Sequence, residues 1–331
     1  PVEAVRAAIN KLDTRSRFRA AGVPVPWFKS VPLDVDYKCL EEVPFPCVVK
    51  PLSLSASRGV IRADSPSELE AAIVRLSDLL RSTSVLSRRE KTSDTILLEE
   101  YISGRELAIE GFVTNGQFRV LTIFDKPDPL EGPFFEESIY VTPTSLTEFE
   151  QRRVEQQVDA AIRALGLTHG PVHAECRVGS GSVFVLEVAP RSIGGLCSRV
   201  LRFEGPGGDV VFEEVILRHA LAEPIDQYRL ASEASAVMMM PVPEAGVFKK
   251  VSGLEIARGM PFVEDIIVTA KRDQRFIPWP EGSSYPGFIF SRGGTAADVV
   301  TSLRNAHAAL QFDVDREIPL SASRKRNNIC L

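Results

Sequence analysis

The sequence predicts an α+β fold whose sheets are largely antiparallel. Candidate strands follow one another along the chain, and the candidate helices stand apart from them instead of alternating with them strand by strand. Short turns such as Asn115-Gly116 join neighbouring strands as antiparallel hairpins require. The 331 residues, 44% of them hydrophobic and 25% charged, are typical of a globular protein of roughly two domains.

The elements can be assigned in order along the first half of the chain. An apolar stripe predicts a helix from Val2 to Ala21, and the segment FPCVVKP predicts a short buried strand. A serine-rich loop over 53–59 and a strand at Val60-Ile61 come next, followed by a helix that Ser65 and Pro66 would cap. Further strands are expected over 96–101, 107–113 and 118–124.

The second half begins with an amphipathic helix over 147–165 that Gly166 closes. Residues 172–178 and 183–188 predict a hairpin, and another helix is expected over 209–222. From about residue 232 short strands alternate with Gly/Pro turns, before a last helix over 295–310.

The composition also excludes classes of protein. A net charge of −5 argues against nucleic acid as the main partner, because a phosphate backbone requires a basic surface. No apolar run approaches the roughly 18–20 residues of a membrane span. The basic C-terminal segment 324–331 is interpreted as a frayed tail. Scattered cysteines without metal-site spacing predict reduced thiols and a cytoplasmic protein: Cys39, Cys47, Cys176, Cys197 and Cys330.

Two glutamates, Glu175 and Glu187, lie on the predicted hairpin. If its turn is the three residues 180–182, the two glutamates pair directly, with Cβ atoms about 5 Å apart on one face. Like charges that close need a cation between them, and carboxylate oxygens favour Mg²⁺. A two-residue turn would instead put them on opposite faces, and two solvent-facing glutamates are the alternative interpretation.

Arg191 follows the second hairpin strand and enters a turn that contains Gly194 and Gly195. A guanidinium there suits a phosphoryl or carboxylate group, and the glycines let backbone N–H groups approach closely. A surface ion pair beside an ordinary turn is the alternative.

Lys50 ends an apolar strand, where burial of its charge is unfavourable unless an anion lies nearby. The loop that follows could cover phosphates with backbone N–H groups and hydroxyls, or it could be an exposed turn. The strand over 96–101 leads into Ser103-Gly104, a kind of linker against which a nucleotide base commonly lies; spacing alone does not decide this.

Several other residues have weaker signals. His173 shares a strand face with Glu175 and either contacts a ligand or is merely packed. Cys176 points towards the core and Cys197 has no nearby base, which argues against a cysteine nucleophile. Met238 to Met240 predict a core strand. Asp125 and Lys126 are either a loop ion pair or substrate contacts.

Together these motifs resemble the ATP-grasp superfamily, and within it the carboxylate–amine ligases of the L-amino acid ligase and carnosine synthase type. The resemblance runs from about Val5 to Phe312. NKLDTRSRFRAAGVPVP is similar to the family's helix with an early phosphate-contacting lysine, here Lys11, and FPCVVKP to the strand with the second lysine, Lys50. The family's fold has two α+β subdomains with largely antiparallel sheets that grip ATP between them.

The resemblance also implies roles for the later motifs. ILLEEYISGRELAIEG is similar to the hinge whose backbone holds adenine, with Glu106 at the position of an acid that meets the ribose. DKPDPLEGPFFEESIYVTP resembles the substrate-side segment, with Glu137 at the acid position. HAECRV and VFVLEVAPRSIGG resemble the metal-binding hairpin, which gives Glu175 and Glu187 the metal and gives Arg191 and Gly194 the acyl phosphate and oxyanion.

Two positions depart from the family pattern. Ala189 stands where many ATP-grasp enzymes have asparagine, which removes one metal ligand; a small residue there is frequent in the amino-acid ligase branch. The loop SLSASRGV contains less glycine than its counterparts.

The resemblance implies an ATP-dependent ligase that joins an amino acid or similar carboxylate to an amine through an acylphosphate, with Mg²⁺ or alternatively Mn²⁺. Its expected partners are these small molecules, without nucleic acid or membrane, and a homodimer is a further expectation. A non-catalytic ATP-binding scaffold or sensor, and a ligase or carboxylase for another carboxylate, are the alternatives. ATP would contact Lys11, Lys50, Ser55, Ser57, Gly59, Glu99, Glu100, Tyr101, Ile102 and Glu106, and substrate would contact Glu137, His173 and Gly195.

The expected domains follow from the same resemblance. Residues 1–24 would be a helix and linker that follow a further domain not present in the sequence, and 25–100 the small, lid-bearing subdomain. The large subdomain with the metal hairpin would cover 101–231, and 232–331 would complete it.

Overall fold

A computed structural model describes residues 1–36, 40, 42–82, 85, 94–179 and 181–316. Cys39, Ser180 of the predicted turn, Cys330 and the tail 324–331 lie outside the described residues. In chain order the helices are α1 Val2–Ile9, α2 Lys11–Ala20, α3 Pro66–Leu80, α4 Glu148–Leu165, α5 Phe212–Ala220, α6 Leu254–Arg258 and α7 Ala296–Ala308, with a 3₁₀ turn at Cys197–Val200.

The strands form four sheets, and every strand pair in the described part of the chain is antiparallel. They are β1 Phe28–Pro32, β2 Cys47–Pro51, β3 Ile61–Ala63, β4 Thr95–Glu100, β5 Arg105–Thr114, β6 Gln117–Asp125, β7 Ile139–Thr142, β8 Gly170–Gly179, β9 Ser182–Ala189, β10 Arg202–Gly205, β11 Gly208–Val211, β12 Arg229–Leu230, β13 Ala234–Met239, β14 Gly246–Ser252, β15 Val263–Val268, β16 Arg275–Phe276, β17 Gly287–Gly293 and β18 Gln311–Arg316.

The largest sheet has eight strands in the order β15-β17-β13-β7-β6-β5-β8-β9. Side chains alternate between its faces, so Leu107 and Ile109 of β5 pack with α1, α2 and α4, whereas Ala108 and Phe112 pack on the opposite face with α5. Helix α7 covers the other end of the sheet. The central strand β5 is therefore buried on both faces.

A four-stranded sheet, β1-β4-β2-β3, forms from residues 28–100 and is covered by α3. The side chain of Ser65 accepts a hydrogen bond from the backbone N–H of Glu68, and Pro66 begins α3, as the sequence predicts. Two three-stranded sheets, β11-β10-β12 and β16-β14-β18, complete the fold. None of the helices in the described part combines the length and apolarity that a membrane span needs.

The prediction of one helix over 2–21 is wrong, because the chain is extended at Asn10 and two helices form. The Asn10 side chain accepts hydrogen bonds from the backbone N–H groups of Leu12 and Asp13, so it caps α2. The break places Lys11 at the start of α2. It also leaves Val5 and Ile9, part of the predicted apolar stripe, 38% and 56% exposed.

The predicted helix over 209–222 is wrong at its start, since 209–211 belong to β11, which pairs with β10, and α5 begins at Phe212. Valines at 210 and 211 favour a strand there. The amphipathic helix over 147–165 is confirmed as α4, with a Thr147–Glu150 capping box and a left-handed Gly166 at its end.

Candidate functional site

A cavity of about 350 Å³ opens beside the hairpin β8–β9, a volume within the range of small-molecule sites. Its lining comes from the four-stranded sheet, the eight-stranded sheet and the loops that follow them. The predicted site residues that line it are Lys11, Lys50, Ser55, Ser57, Glu99, Glu100, Tyr101, Ile102, Glu106, Glu137, His173, Glu175, Glu187, Arg191, Gly194 and Gly195. Gly59, which was also expected to contact ATP, is not among the lining residues, and its N–H donates to the carbonyl of Pro280.

The two hairpin glutamates face each other, although the expected reason is wrong. Gly179 pairs with Ser182, so the turn has two residues and not three. In a regular hairpin this register would put Leu186 opposite Glu175. A β-bulge at Leu186 shifts the pairing by one residue, and Glu175 therefore pairs with Glu187. The bulge restores the arrangement that a three-residue turn would have given.

Arg15, from α2, binds this bulge. Its guanidinium donates to the carbonyls of Val185 at 3.3 Å and Leu186 at 2.9 Å, and it forms an ion pair with Glu99 at 2.7 Å. The Arg15 side chain is 1% exposed, and so the carbonyl of Leu186, the residue that the bulge leaves without a partner on β8, has a buried donor. A residue from the start of the chain thus stabilises the register of the hairpin.

The anion predicted beside Lys50 is a carboxylate of the protein itself. Lys50 on β2 and Glu99 on β4 form an ion pair, and Glu99 also binds Arg15. Burial lowers the pKa of Lys50 to about 8, even though Glu99 opposes the shift. Burial also disfavours the charged form of Glu99, but the two cations outweigh it and lower the pKa of the carboxyl group. Lys11 donates to the Leu54 carbonyl at 2.8 Å.

Lys126 is buried among three acidic residues that line the cavity. Its Nζ is 2.8 Å from Glu106, 2.6 Å from Glu137 and 3.1 Å from Glu175. Burial opposes its charge, but the three carboxylates raise the pKa of Lys126 well above its ordinary value. Burial, together with the nearby Glu175, raises the pKa of Glu137. The sequence left open whether Asp125 and Lys126 form an ion pair with each other or contact substrate. They do not form that ion pair, because Asp125 binds Arg105 instead.

His173 is buried and ion-paired with Glu110, a carboxylate with no exposed surface. Burial alone would lower the pKa of His173, but Glu110 outweighs it and raises this pKa to about 10. The other ring nitrogen lies 3.4 Å from Glu175. Glu110 also accepts a hydrogen bond from the Ile193 N–H at 3.1 Å, which attaches the 191–195 turn to β5.

The linker after β4 is fixed by neighbouring elements. The N–H groups of Glu100 and Tyr101 donate to the carbonyls of Trp27 and Pro46. Arg177 donates to the Ile102 carbonyl at 2.6 Å and to Glu106 at 2.8 Å. In this linker Gly104 has a φ of +124°, and a Cβ there would lie 2.4 Å from the Val178 carbonyl, so only glycine fits.

The residues present suit a divalent cation. Glu106, Glu137 and Glu175 hold carboxylate oxygens within 4.8 Å of one another, and Glu187 faces Glu175 across the hairpin. Carboxylate oxygens are the ligands that Mg²⁺ prefers. Because Lys126 already occupies the centre of the first three, the Glu175–Glu187 pair is the better position for an ion.

Comparisons with known proteins give matches in sequence and in fold. Residues 43–200 match the ATP-grasp domain, and residues 238–315 match the L-amino acid ligase C-terminal domain 2. The crystal structure of L-amino acid ligase from Bacillus licheniformis superposes with a TM-score of 0.82 and 29% identity, over 96% of this chain and 75% of that chain.

The chain contains an ATP-grasp domain and has the ATP-grasp fold.

Sequence relatives of this ATP-grasp chain are more distant. Alanine–anticapsin ligase of Bacillus amyloliquefaciens is 27% identical over 207 residues, which is 58% of this chain and 43% of the relative. An uncharacterized protein of Sinorhizobium fredii is 26% identical over 265 residues, 80% of this chain and 52% of the relative. The chain spans about half the length of the curated relatives it matches.

Sequence reasoning missed several residues that line the cavity or support it. Arg15 and Glu110 do not line the cavity, and nothing local marks them, because both act on segments distant in sequence. Arg177 lies two residues after Glu175 on the same strand face, and that spacing was a usable signal. Apolar residues complete the lining, among them Phe135, Tyr140, Ile193, Cys197, Met239 and Tyr285. Burial raises the pKa of the Cys197 thiol, which agrees with the prediction that it is not a nucleophile.

Proposed function

We propose that this chain carries the catalytic centre of an ATP-dependent carboxylate–amine ligase that joins an amino acid, or a similar carboxylate, to an amine. The observation that carries the proposal is the pairing of Glu175 with Glu187 in one cavity with Lys11, Lys50 and Arg191. The match of the C-terminal part to the L-amino acid ligase C-terminal domain 2 supports this substrate class.

In this proposal Lys11 and Lys50 bind the ATP phosphates, and Mg²⁺ on Glu175 and Glu187 supplies charge neutralisation of those phosphates. The adenine lies against the linker that contains Ile102. A carboxylate oxygen of the first substrate attacks the γ-phosphorus, ADP leaves, and an acylphosphate forms. The amine then attacks the acyl carbon and phosphate leaves.

Arg191 and the Gly194 N–H stabilise the negative charge that develops on the acyl oxygen. Glu137 and His173 contact the substrates. The serine loop over 53–59 excludes water from the acylphosphate, which would otherwise hydrolyse. Residues 25–100 act as the lid-bearing subdomain in this scheme, and 101–231 with the C-terminal part as the large one; a homodimer in the cytoplasm is part of the same proposal.

The test is phosphate release by purified protein with ATP, Mg²⁺ and a panel of amino acids, with mass detection of the ligated product. We expect release that depends on a carboxylate and an amine together and that Glu187→Gln abolishes. A matched control is Glu213→Gln, which removes a carboxylate that binds Ser198 outside the cavity. Calorimetric ATP binding without phosphate release for any panel member would favour the scaffold or sensor instead.

A further inference from the structure

The loop over 53–59, which lies beside the cavity, is held by a segment from the far end of the chain. Trp279, Pro280 and Glu281 connect β16 to β17 in the C-terminal part. The Gly59 N–H donates to the Pro280 carbonyl at 2.8 Å, and the indole N–H of Trp279 donates to the Ala56 carbonyl at 3.0 Å. The two segments are thus joined by one bond between backbone groups and one from the Trp279 side chain to the backbone of the loop.

Charged side chains extend the contact. The Arg58 Nε donates to the Glu281 carbonyl at 2.9 Å. Arg75 of α3 binds the Glu281 carboxylate through two nitrogens, at 2.5 and 2.8 Å. Arg75 and Glu281 are 44% and 35% exposed, so solvent weakens this pair without removing it.

The loop needs such support. Ala56 and Ser57 have φ values of +57° and +53°, in the left-handed region that side chains disfavour. A conformation of this kind persists only where neighbouring contacts hold it. Trp279, only 4% exposed, supplies a rigid surface for that purpose.

The same segment reaches the substrate side of the cavity. The ring centroids of Trp279 and Tyr285 are 4.8 Å apart, and Tyr285 lines the cavity. Tyr285 in turn packs edge-on against Phe288. Phe288 lies beside Gly195, where a Cβ would be 3.2 Å from its ring. Contacts therefore continue from the loop to the 191–195 turn.

We propose that Trp279, Pro280 and Glu281 form a latch that holds the serine loop closed over the cavity, with Trp279 and Glu281 as positioning residues. The inference rests on the proposed function in one respect, which is that ATP is the molecule bound under the loop. Release of the latch opens the loop, admits water and lets nucleotide exchange.

Trypsin cleavage after Arg58 reports the opening directly. The Arg58 side chain and the Gly59 N–H are both bonded to the latch, so the bond between them reaches a protease only when the loop detaches. Cleavage at this bond is followed by mass spectrometry, separately from cleavage at other basic residues.

We compare Glu281→Gln, Arg75→Met and Trp279→Phe, each without nucleotide. Loss of the ion pair should speed cleavage about two- to fivefold, as expected for a half-exposed pair. The double variant Arg75→Met, Glu281→Gln should be cleaved no faster than either single variant, because both changes remove the same ion pair. The matched control is Lys249→Met, which breaks a surface ion pair with Asp273 in the same C-terminal part. Equal cleavage in the wild type and the three latch variants overturns the latch.

A second arm adds ADP, with binding measured independently by calorimetry. ADP should slow cleavage at Arg58 in the wild type, and less so in Trp279→Phe. Binding of ADP that leaves this cleavage unchanged would overturn the latch as a closing device. Absence of ADP binding would instead count against the proposed function, while the comparison without nucleotide still decides whether the latch exists.

Discussion

Arg15 offers the sharpest test of how this site is built. Replacing it by methionine keeps an unbranched side chain but removes every donor to the Val185 and Leu186 carbonyls and one of the two cations bound to Glu99. A carbonyl that loses its donor costs up to about 1–3 kcal/mol, and an imbalance in a buried ion pair costs about 3–5 kcal/mol. Glu99 keeps its ion pair with Lys50, and the two costs overlap. We therefore expect Arg15→Met to lower the free energy of unfolding by about 3–5 kcal/mol in total.

Such a loss is large against a typical stability of about 5–15 kcal/mol, so a milder change is also needed. Arg15→Lys keeps the charge beside Glu99, but one ammonium cannot reproduce the planar fork that reaches both the carboxylate and the two carbonyls. We expect it to lower the free energy of unfolding by about 1–3 kcal/mol. Urea unfolding measures both values.

The assay that tests the reasoning is the register of the hairpin. Without its donor the bulge at Leu186 should be populated less, and Glu187 should turn away from Glu175 in part of the molecules. Hydrogen exchange of β9 amides should accelerate, and the affinity for Mn²⁺, measured by electron paramagnetic resonance, should fall about tenfold or more in Arg15→Lys, by analogy with residues that orient metal ligands.

A deletion provides the control. Without Leu186 a regular two-residue hairpin pairs Glu175 with Glu187, so the bulge and its need for Arg15 both disappear. In that background Arg15→Lys should affect Mn²⁺ affinity little. Unchanged exchange and unchanged Mn²⁺ affinity in Arg15→Lys alone, or an equal effect with and without Leu186, would refute the argument.

Three further predictions follow from the site. Because the pKa of Lys50 is lowered to about 8, the lysine loses its charge as pH rises through that value. The affinity for ATP, measured by calorimetry, should therefore fall by up to about tenfold per pH unit above pH 8. In Lys50→Arg, which stays charged, the affinity for ATP should not change over about pH 7–9.5. Lys126→Met removes the cation bound to Glu137 and one of the two cations bound to each of Glu106 and Glu175, and it should lower the free energy of unfolding by about 3–5 kcal/mol. Mg²⁺ should raise the Tm more in this variant than in the wild type, and an equal rise would contradict the prediction. Cys47 and Cys176 are buried with raised thiol pKa values, so a thiol reagent should modify neither until urea unfolds the protein, as peptide mass mapping would show.

Much of the fold could be predicted because its signals are local. The capping box at Thr147, the Gly166 stop of α4 and the Ser65-Pro66 start of α3 each depend on a few neighbouring residues. The break at Asn10 was missed although Asn is a good helix cap, because the apolar stripe on both sides of it favoured one continuous helix.

The candidate site was predictable as a set of residues but not as a geometry. Glu175 and Glu187 were found from alternation and spacing, yet their pairing depends on one extra residue in β9, and a bulge of this kind has no local signature. Its stabilising donor comes from Arg15, 171 positions before Leu186. The role of Lys126 could not be assigned from sequence either. Its contacts with the three glutamates depend on the order of the strands, in which β6 lies beside β5 and β5 pairs with β8.

The charges around the cavity explain why its two sides suit different ligands. On the side of β2, Glu99 is balanced by Lys50 and also by Arg15, so one positive charge is left over, with Lys11 nearby to add another. A lysine paired with a carboxylate alone would present no net charge to a phosphate. Arg15 therefore both stabilises the bulge and gives the Glu99–Lys50 pair a net positive charge that attracts anions.

The opposite side has the reverse imbalance. When ionised, the four carboxylates of Glu106, Glu137, Glu175 and Glu187 outnumber the three permanent cations near them, Lys126, Arg177 and Arg191, and the charge of His173 is balanced by Glu110. One negative charge is left over, which favours a cation on this side of the cavity. An anion held on one side and a cation held on the other would attract each other, so each should bind more tightly in the presence of its partner.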